Sequence, residues 1–170
     1  MTIALRLDSQ VVSPDRVLKS VMGLLNRTQL CSVATVLAGG KPHINTCFFA
    51  FDRDLRLVIL TPPSTVHASA WENPCDVAVA VFDSHQVSGA ELSGLQLFGH
   101  VTRSRNESEQ AALLVYGERF PSFKAAAPDT DTFLRTFQSR FYLVSIERLK
   151  LFDEPAFGKE VWIEASIVHT

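Results

Sequence analysis

The segment Thr61-Pro62-Pro63-Ser64-Thr65-Val66-His67 gathers three hydroxyl side chains and one imidazole within seven residues. Hydroxyls beside a helix start can accept from the free N–H groups of the first turn, or donate to an anion held there. One can cap while its neighbour reaches a ligand, so Ser64 and Thr65 are compatible with both uses. Thr61 stands at a strand end, a common place for a ligand contact. His67 can donate a single hydrogen bond while neutral and brings no fixed charge at neutral pH. It reads equally as a phosphate donor, a proton donor or an ordinary helix histidine. The chemistry this segment points to is capture of a phosphate-bearing ligand.

His43 and Asn45 precede it on Pro42 to Phe51, whose alternation also puts Cys47, Phe49 and Phe51 on their face. That face begins polar and turns aromatic, as a strand does when its early half lines a site; a solvated face reads equally well. Ile44, Thr46, Phe48 and Ala50 form the other, mostly apolar face. Lys159 and Arg119 are the remaining cations for an anionic ligand, or simple surface charges. Cys31, Cys47 and Cys75 are odd in number, form no CxxC pair and have no basic sequence neighbour, which reads as structural free thiols in a reducing cytoplasm. No Ser-His-Asp order, HExxH, GxGxxG or P-loop is present, so no nucleophile, zinc site or dinucleotide fold is indicated.

The elements that must position these residues follow from periodicity and turn chemistry. Ser13-Pro14 opens an amphipathic helix over about 14–25, with Val17, Leu18, Val21, Leu24 and Leu25 on its apolar face. Strands are expected at Leu30–Val36, ended by Gly39-Gly40, and at Pro42–Phe51. Asp52-Arg53-Asp54 turns the chain into Leu55–Leu60, apolar enough to be buried on both faces. A short helix covers His67–Glu72 and stops at Asn73-Pro74. Further strands are Asp76–Phe82, Leu95–Arg103 with Gly99 marking close packing or a bulge, Phe141–Phe152, and a short Val161–Ile163. A helix at Glu107–Tyr116 ends at Gly117, with a short helix plus loop before Leu134. Six or seven strands at hairpin spacing with short helices predict a mainly β (α+β) fold, an antiparallel barrel.

The 170 residues form one domain, with the barrel over about 30–166. A net charge of -2 argues against nucleic acid, which selects basic surfaces. Arg6 and Asp8 interrupt the first residues, which read as neither a signal peptide nor a membrane span.

The order ATV, GG, KPHINTCFFAFD, LRLVILT, ST-H, NP, DVAVAVFD, GLQLFGHV, from Ala34 to Val101, resembles the flavin-binding split-barrel superfamily related to pyridoxamine 5′-phosphate oxidase. Leu60-Thr61 with His67-Ala68, Gly94-Leu95-Gln96 with Phe98-Gly99, Tyr116 with Arg119-Phe120-Pro121, and Phe157-Gly158-Lys159 with Trp162 are similar to its bacterial YhbP-like branch. The resemblance implies a split β-barrel and a homodimer with flavin mononucleotide (FMN) at the subunit interface. Thr61, Ser64, Thr65 and His67 would meet the phosphate, His43 and Asn45 the ring edge, and Gln96 and Trp162 would close over the flavin from the partner. Many relatives carry a lysine near the position of His67. Three functions are compatible: an FMN-dependent oxidoreductase of unknown substrate, a non-enzymatic flavin or small-molecule binding dimer, and haem handling through a histidine such as His100 or His85.

Overall fold

The computed structural model describes residues 3–8 and 12–169. Eight strands follow the order β1-β8-β7-β4-β3-β2-β5-β6, and β6 returns to pair with β7, closing a six-stranded antiparallel barrel. The strands are β1 Ile3–Leu7, β2 Leu30–Val36, β3 Pro42–Phe51, β4 Leu57–Thr61, β5 Cys75–Phe82, β6 Ser93–Arg103, β7 Arg140–Asp153 and β8 Trp162–His169. The helices are α1 Pro14–Arg27, α2 Val66–Ala70, α3 Glu107–Arg119, α4 Pro121–Ala126, α5 Thr130–Thr136 and α6 Glu154–Phe157. The split β-barrel expected from the sequence is the fold observed.

Strand alternation fills the barrel: Cys31, Val33, Phe49, Leu57, Ile59, Val77, Val79, Val81, Leu95, Leu97, Val101, Tyr142 and Val144 all point inward and are buried. Both ends are closed. α1, capped by Ser13 accepting from Arg16 N, lays Val17, Val21, Leu24 and Leu25 over one end. At the other, α2 delivers Trp71, fully buried, whose indole N–H donates to Thr35 Oγ1 at 3.0 Å. Outside the wall, Ala112, Leu113 and Tyr116 of α3 join Ala127 and Phe133 against Ala50, Val58 and Phe141. β4 is thereby buried on both faces, as its apolar run required. Among the described residues, no helix is long and apolar enough to cross a membrane.

Several boundaries differ from expectation. Leu55 belongs to the turn, where its φ is 59° and the Asp52 carboxylate accepts from Asp54 N and Arg56 N. Gly117 does not stop α3; it sits inside the helix because Lys124 of α4 packs against its bare Cα. The last strand runs to His169 because β1, an element the sequence reading omitted, pairs with it. At these strands the edge pairing, set by chain ends far apart in sequence, overrides local patterning.

Gly99 sits at the register shift between β6 and β7, where Phe98 opposes Arg148 and Gly99 opposes Ile146. Glu147 is thus the extra residue of a bulge. A Cβ on Gly99 would lie 1.9 Å from the Ser145 carbonyl oxygen, a contact with backbone that no side-chain rotation relieves. Gly99→Ala is expected to cost about 1–3 kcal/mol or more, read as a lower urea midpoint. An unchanged midpoint would show that the bulge re-forms around a methyl group.

Candidate functional site

The barrel is split where β3 leaves β4. The two pair only from Phe49↔Ile59 to Phe51↔Leu57, so β3 from Pro42 to Phe48 runs free of its neighbour. Its other edge stays paired to β2 throughout, down to Val36↔Pro42. His43, Asn45 and Cys47 therefore line the inner side of a wall with one missing neighbour, and they are half-buried. Ile44 and Phe48 point outward and are 67% and 52% exposed. The polar-then-aromatic face is the inward one.

The hydroxyl segment closes the same end. Thr65 is the N-cap of α2, accepting from Ala68 N at 3.4 Å. Its own hydroxyl proton goes to the Pro62 carbonyl, 2.9 Å away. His67 folds back so that Nε2 lies 2.9 Å from Thr61 Oγ1 and 3.1 Å from Thr65 Oγ1. Because the Thr65 hydroxyl is already spent as a donor, it can only accept from the imidazole, which places the proton on Nε2. Thr61, buried at the end of β4, then accepts from the same N–H, and its own hydroxyl proton has only the Thr65 oxygen, 3.4 Å away, as a partner within the described residues. Ser64 is exposed and makes no side-chain hydrogen bond within the described residues.

The His43 and His67 rings stack with centroids 5.9 Å apart, and His67 lies against Trp71 at 4.9 Å. Trp71 in turn meets Tyr142 edge-on at 5.5 Å. His43, Thr61, Thr65 and His67 thus form one constellation at the split, with Asn45 beside it on β3. Two of its polar atoms are orphaned: His43 Nε2 and Asn45 Oδ1 are buried and have no partner within the described residues. Such atoms are uncommon and cost about 1–3 kcal/mol each.

The surroundings are poor in free positive charge. Arg103 and Arg105 both turn to Glu72, at 2.9 and 3.6 Å, and Tyr142 donates to the same carboxylate at 3.4 Å. Arg119, considered from sequence as an anion-binding cation, is committed elsewhere. Its Nη2 donates to Leu25 O and Thr28 O at 2.7 and 2.6 Å, and its guanidinium stacks 4.7 Å from the Phe49 ring. It ties the end of α1 to α3 instead of facing the split. Lys159 is exposed on the loop before β8.

Gln96 and Trp162 lie apart from this constellation. β6 is three strand positions from β3, about 14 Å around the wall at about 4.8 Å per strand, and Gln96 points outward. Trp162 stacks on Phe152 at 4.3 Å, under Lys150 Nζ at 4.8 Å. With Phe82 and Leu92 both residues border a shallow apolar hollow of about 190 Å³. Of the haem-ligand candidates, His100 faces Glu147 at 3.2 Å on the outside of β6, and His85 sits on an exposed loop beside Asp83. Neither shares a site with His43 or His67.

Sequence reasoning missed one pairing. Cys31 and Cys47, read as scattered thiols, are direct register partners with Sγ atoms 3.8 Å apart. The signal was present: a hairpin turning at Gly39-Gly40 that pairs Val36 with Pro42 must also pair residue 31 with residue 47. The hydrogen bond with Cys47 and burial push the Cys31 pKa up, and the charge of Arg119, distant in sequence, offsets only part of that rise.

Burial, and secondarily the charge of His43, holds the His67 imidazole below its usual value of 6.5. The folded state therefore resists protonating it. Its stabilising contribution is present above the unfolded value and is lost as pH falls through the lowered folded one. In an imidazole NMR titration His67 is expected to protonate below pH 6.5, and His43→Ala to move that midpoint upward. Titration at or above the usual value would contradict the burial of His67 beside His43.

No protein-family model matches the chain, and no curated protein sequence is detectably similar to it. Solved structures are similar in shape. A haem-binding protein of Mycobacterium smegmatis superposes with a TM-score of 0.71 at 13% identity over 92% of this chain, which spans 60% of that longer protein. The haem storage protein HutZ of Vibrio cholerae gives 0.62 at 18% identity over 79% of this chain and 92% of its own. A pyridoxamine 5′-phosphate oxidase-like protein of Listeria innocua gives 0.60 at 13% identity, over 79% and 97%. At such identities the likeness is one of fold: this chain has the split-barrel fold that these three proteins share.

Proposed function

We propose that the chain is an FMN-binding protein that acts as a homodimer, and that it is a flavin-dependent oxidoreductase. The observation that carries the reading is the pair of orphaned polar atoms, His43 Nε2 and Asn45 Oδ1, on the wall of the split beside the hydroxyl loop. A flavin ring presents a polar edge of carbonyl oxygens, nitrogens and one ring N–H. Asn45 Oδ1 accepts from such an N–H, and His43 supplies or takes the complementary bond. The phosphate takes the hydroxyl protons of Thr61 and Ser64, while Thr65, whose own proton is spent on the Pro62 carbonyl, holds the loop with His67 beneath them. The flavin, when bound, supplies the hydride or electron chemistry, and the chain supplies orientation and hydrogen bonds. His43 and His67 are the groups that hold or move a proton next to it.

The uneven covering of the barrel supports the dimer reading. α3, α4 and α5 protect only the β3, β4 and β7 flank. The outer face of β2, β5 and β6 and the first half of β3 exposes Leu30, Val36, Ile44, Phe48 and Phe82 around the small residues Ser32, Ala34, Ala78 and Ala80. A contiguous apolar face of this kind fits a self-complementary two-fold contact. In that dimer the partner subunit's Gln96 and Trp162 close over the split, and Lys159 comes with them as an uncommitted cation. Within the flavin superfamily the sequence marks favour the YhbP-like branch.

A non-enzymatic binding role is the second reading, favoured by the shortage of free cations around the hydroxyls. Two of the similar structures are haem-binding proteins, and haem is therefore included in the test. Purified protein mixed with FMN and passed through a sizing column is expected to elute as a dimer with a bound flavin spectrum. Absence of both co-elution and flavin-fluorescence quenching would refute the cofactor assignment, and a Soret band on haem addition would replace it. Reduction of the bound flavin by a nicotinamide donor supports the oxidoreductase; inertness toward such donors favours the binding role.

The charge shortage makes a separate prediction. His67→Lys is expected to tighten FMN binding by about tenfold, roughly the 1–2 kcal/mol of a charge-assisted bond, and to leave riboflavin nearly unchanged. Equal effects on both ligands would place the phosphate elsewhere.

A further inference from the structure

We infer that Cys31 and Cys47 are an oxidisable dithiol that closes to an intramolecular disulfide when the protein meets a peroxide. The two residues oppose one another directly on β2 and β3, with Sγ atoms 3.8 Å apart. Opposed residues of an antiparallel pair have Cα atoms about 4.5–5.5 Å apart, inside the range of about 4.4–6.8 Å that a disulfide spans. Closure therefore needs side-chain rotation and no strand movement.

The pair is asymmetric in access. Cys31 is 2% exposed inside the barrel, whereas Cys47 is only half-buried and lies at the split. Either sulfur can donate to the other; with Cys31 the more deeply buried of the two, the hydrogen bond from Cys31 favours the thiolate on Cys47 and holds its pKa below the usual value. The charged and titratable groups facing the pair are Arg119, the deeply placed Tyr116 hydroxyl, whose pKa burial pushes up to about 12, and, as a polar neighbour, Asn45. Cys75, on β5, lies outside this pair.

The chemistry balances in two steps. The Cys47 thiolate attacks one oxygen of hydrogen peroxide; the O–O bond breaks, hydroxide leaves and takes up a proton to become water, and Cys47 becomes a sulfenic acid. Cys31 sulfur then attacks the Cys47 sulfur, the S–O bond breaks, and its oxygen leaves as a second water with the Cys31 proton. Two thiols lose two electrons and two protons to one peroxide, and a dithiol reductant reverses the change. Because Cys47 is two residues from Asn45 where β3 has already left β4, the bond fixes the free part of β3 to β2.

Native protein treated with one equivalent of hydrogen peroxide is expected to lose two hydrogens by intact mass. Its titratable thiols should fall from three to one, with a Cys31–Cys47 peptide recovered after digestion. Cys31→Ser should instead leave a Cys47 sulfenic acid that dimedone traps, and Cys47→Ser should leave Cys31 unmodified at the same dose. Circular dichroism verifies that both variants are folded, and the wild-type arm stands without them. Unchanged thiols, earlier consumption of Cys75, or disulfides only between molecules would overturn the inference.

Discussion

The constraint on which the rest of this structure depends is the parting of β3 from β4 beyond the Phe49–Ile59 pair. A closed barrel satisfies every strand on both edges. Here one strand runs on for seven of its ten residues with a single neighbour, and its inward residues are no longer hydrophobic. Asn45 and His43 occupy positions where the rest of the wall presents valine, leucine and phenylalanine. The hydroxyl loop and α2 fold over this gap, and Trp71, anchored to Thr35, keeps the gap from opening into the core. The candidate site and the closure of the barrel are thus one piece of architecture.

That arrangement sets the electrostatics. The imidazole of His67 is held by two hydroxyls and stays neutral, the nearby arginines answer to Glu72, and Arg119 is consumed at the end of α1. What remains on offer is hydrogen bonding: one hydroxyl proton on Thr61, the exposed Ser64, and two orphaned atoms on β3. Such a site recognises the shape and polar edge of a ring more strongly than it neutralises a phosphate. The proposed partner subunit supplies what one chain lacks, an aromatic wall and an exposed lysine.

Local chemistry made much of this visible in advance. The β2–β3 hairpin and its boundaries followed from the Gly39-Gly40 turn and strict alternation, and the double burial of β4 followed from its unbroken apolar run. Gly99 announced the bulge because only a residue without Cβ accepts the Ser145 carbonyl so close. His43, Thr61, Thr65 and His67, singled out in the sequence, come together because two of the three segments carrying them are adjacent through a hairpin and the third follows directly. The role of Arg119 and the β1–β8 pairing were not legible. Each depends on a contact between segments about 90 or more residues apart, which local pattern does not encode. The outward direction of Ile44 and Phe48 was left open, since the polar-then-aromatic face opposite them read equally well as a site wall and as a solvated face.

A mixed-dimer complementation experiment tests the composite site most directly. Thr61→Arg blocks the loop half and Trp162→Arg the closing half, so either variant alone is expected to bind no FMN. When the two are unfolded together and refolded, half of the dimers contain one chain of each kind, and one site in each has both halves intact. About one quarter of the wild-type sites should then bind FMN. No recovery from a mixture shown to contain mixed dimers, or full FMN binding by the Trp162→Arg protein alone, would contradict the account.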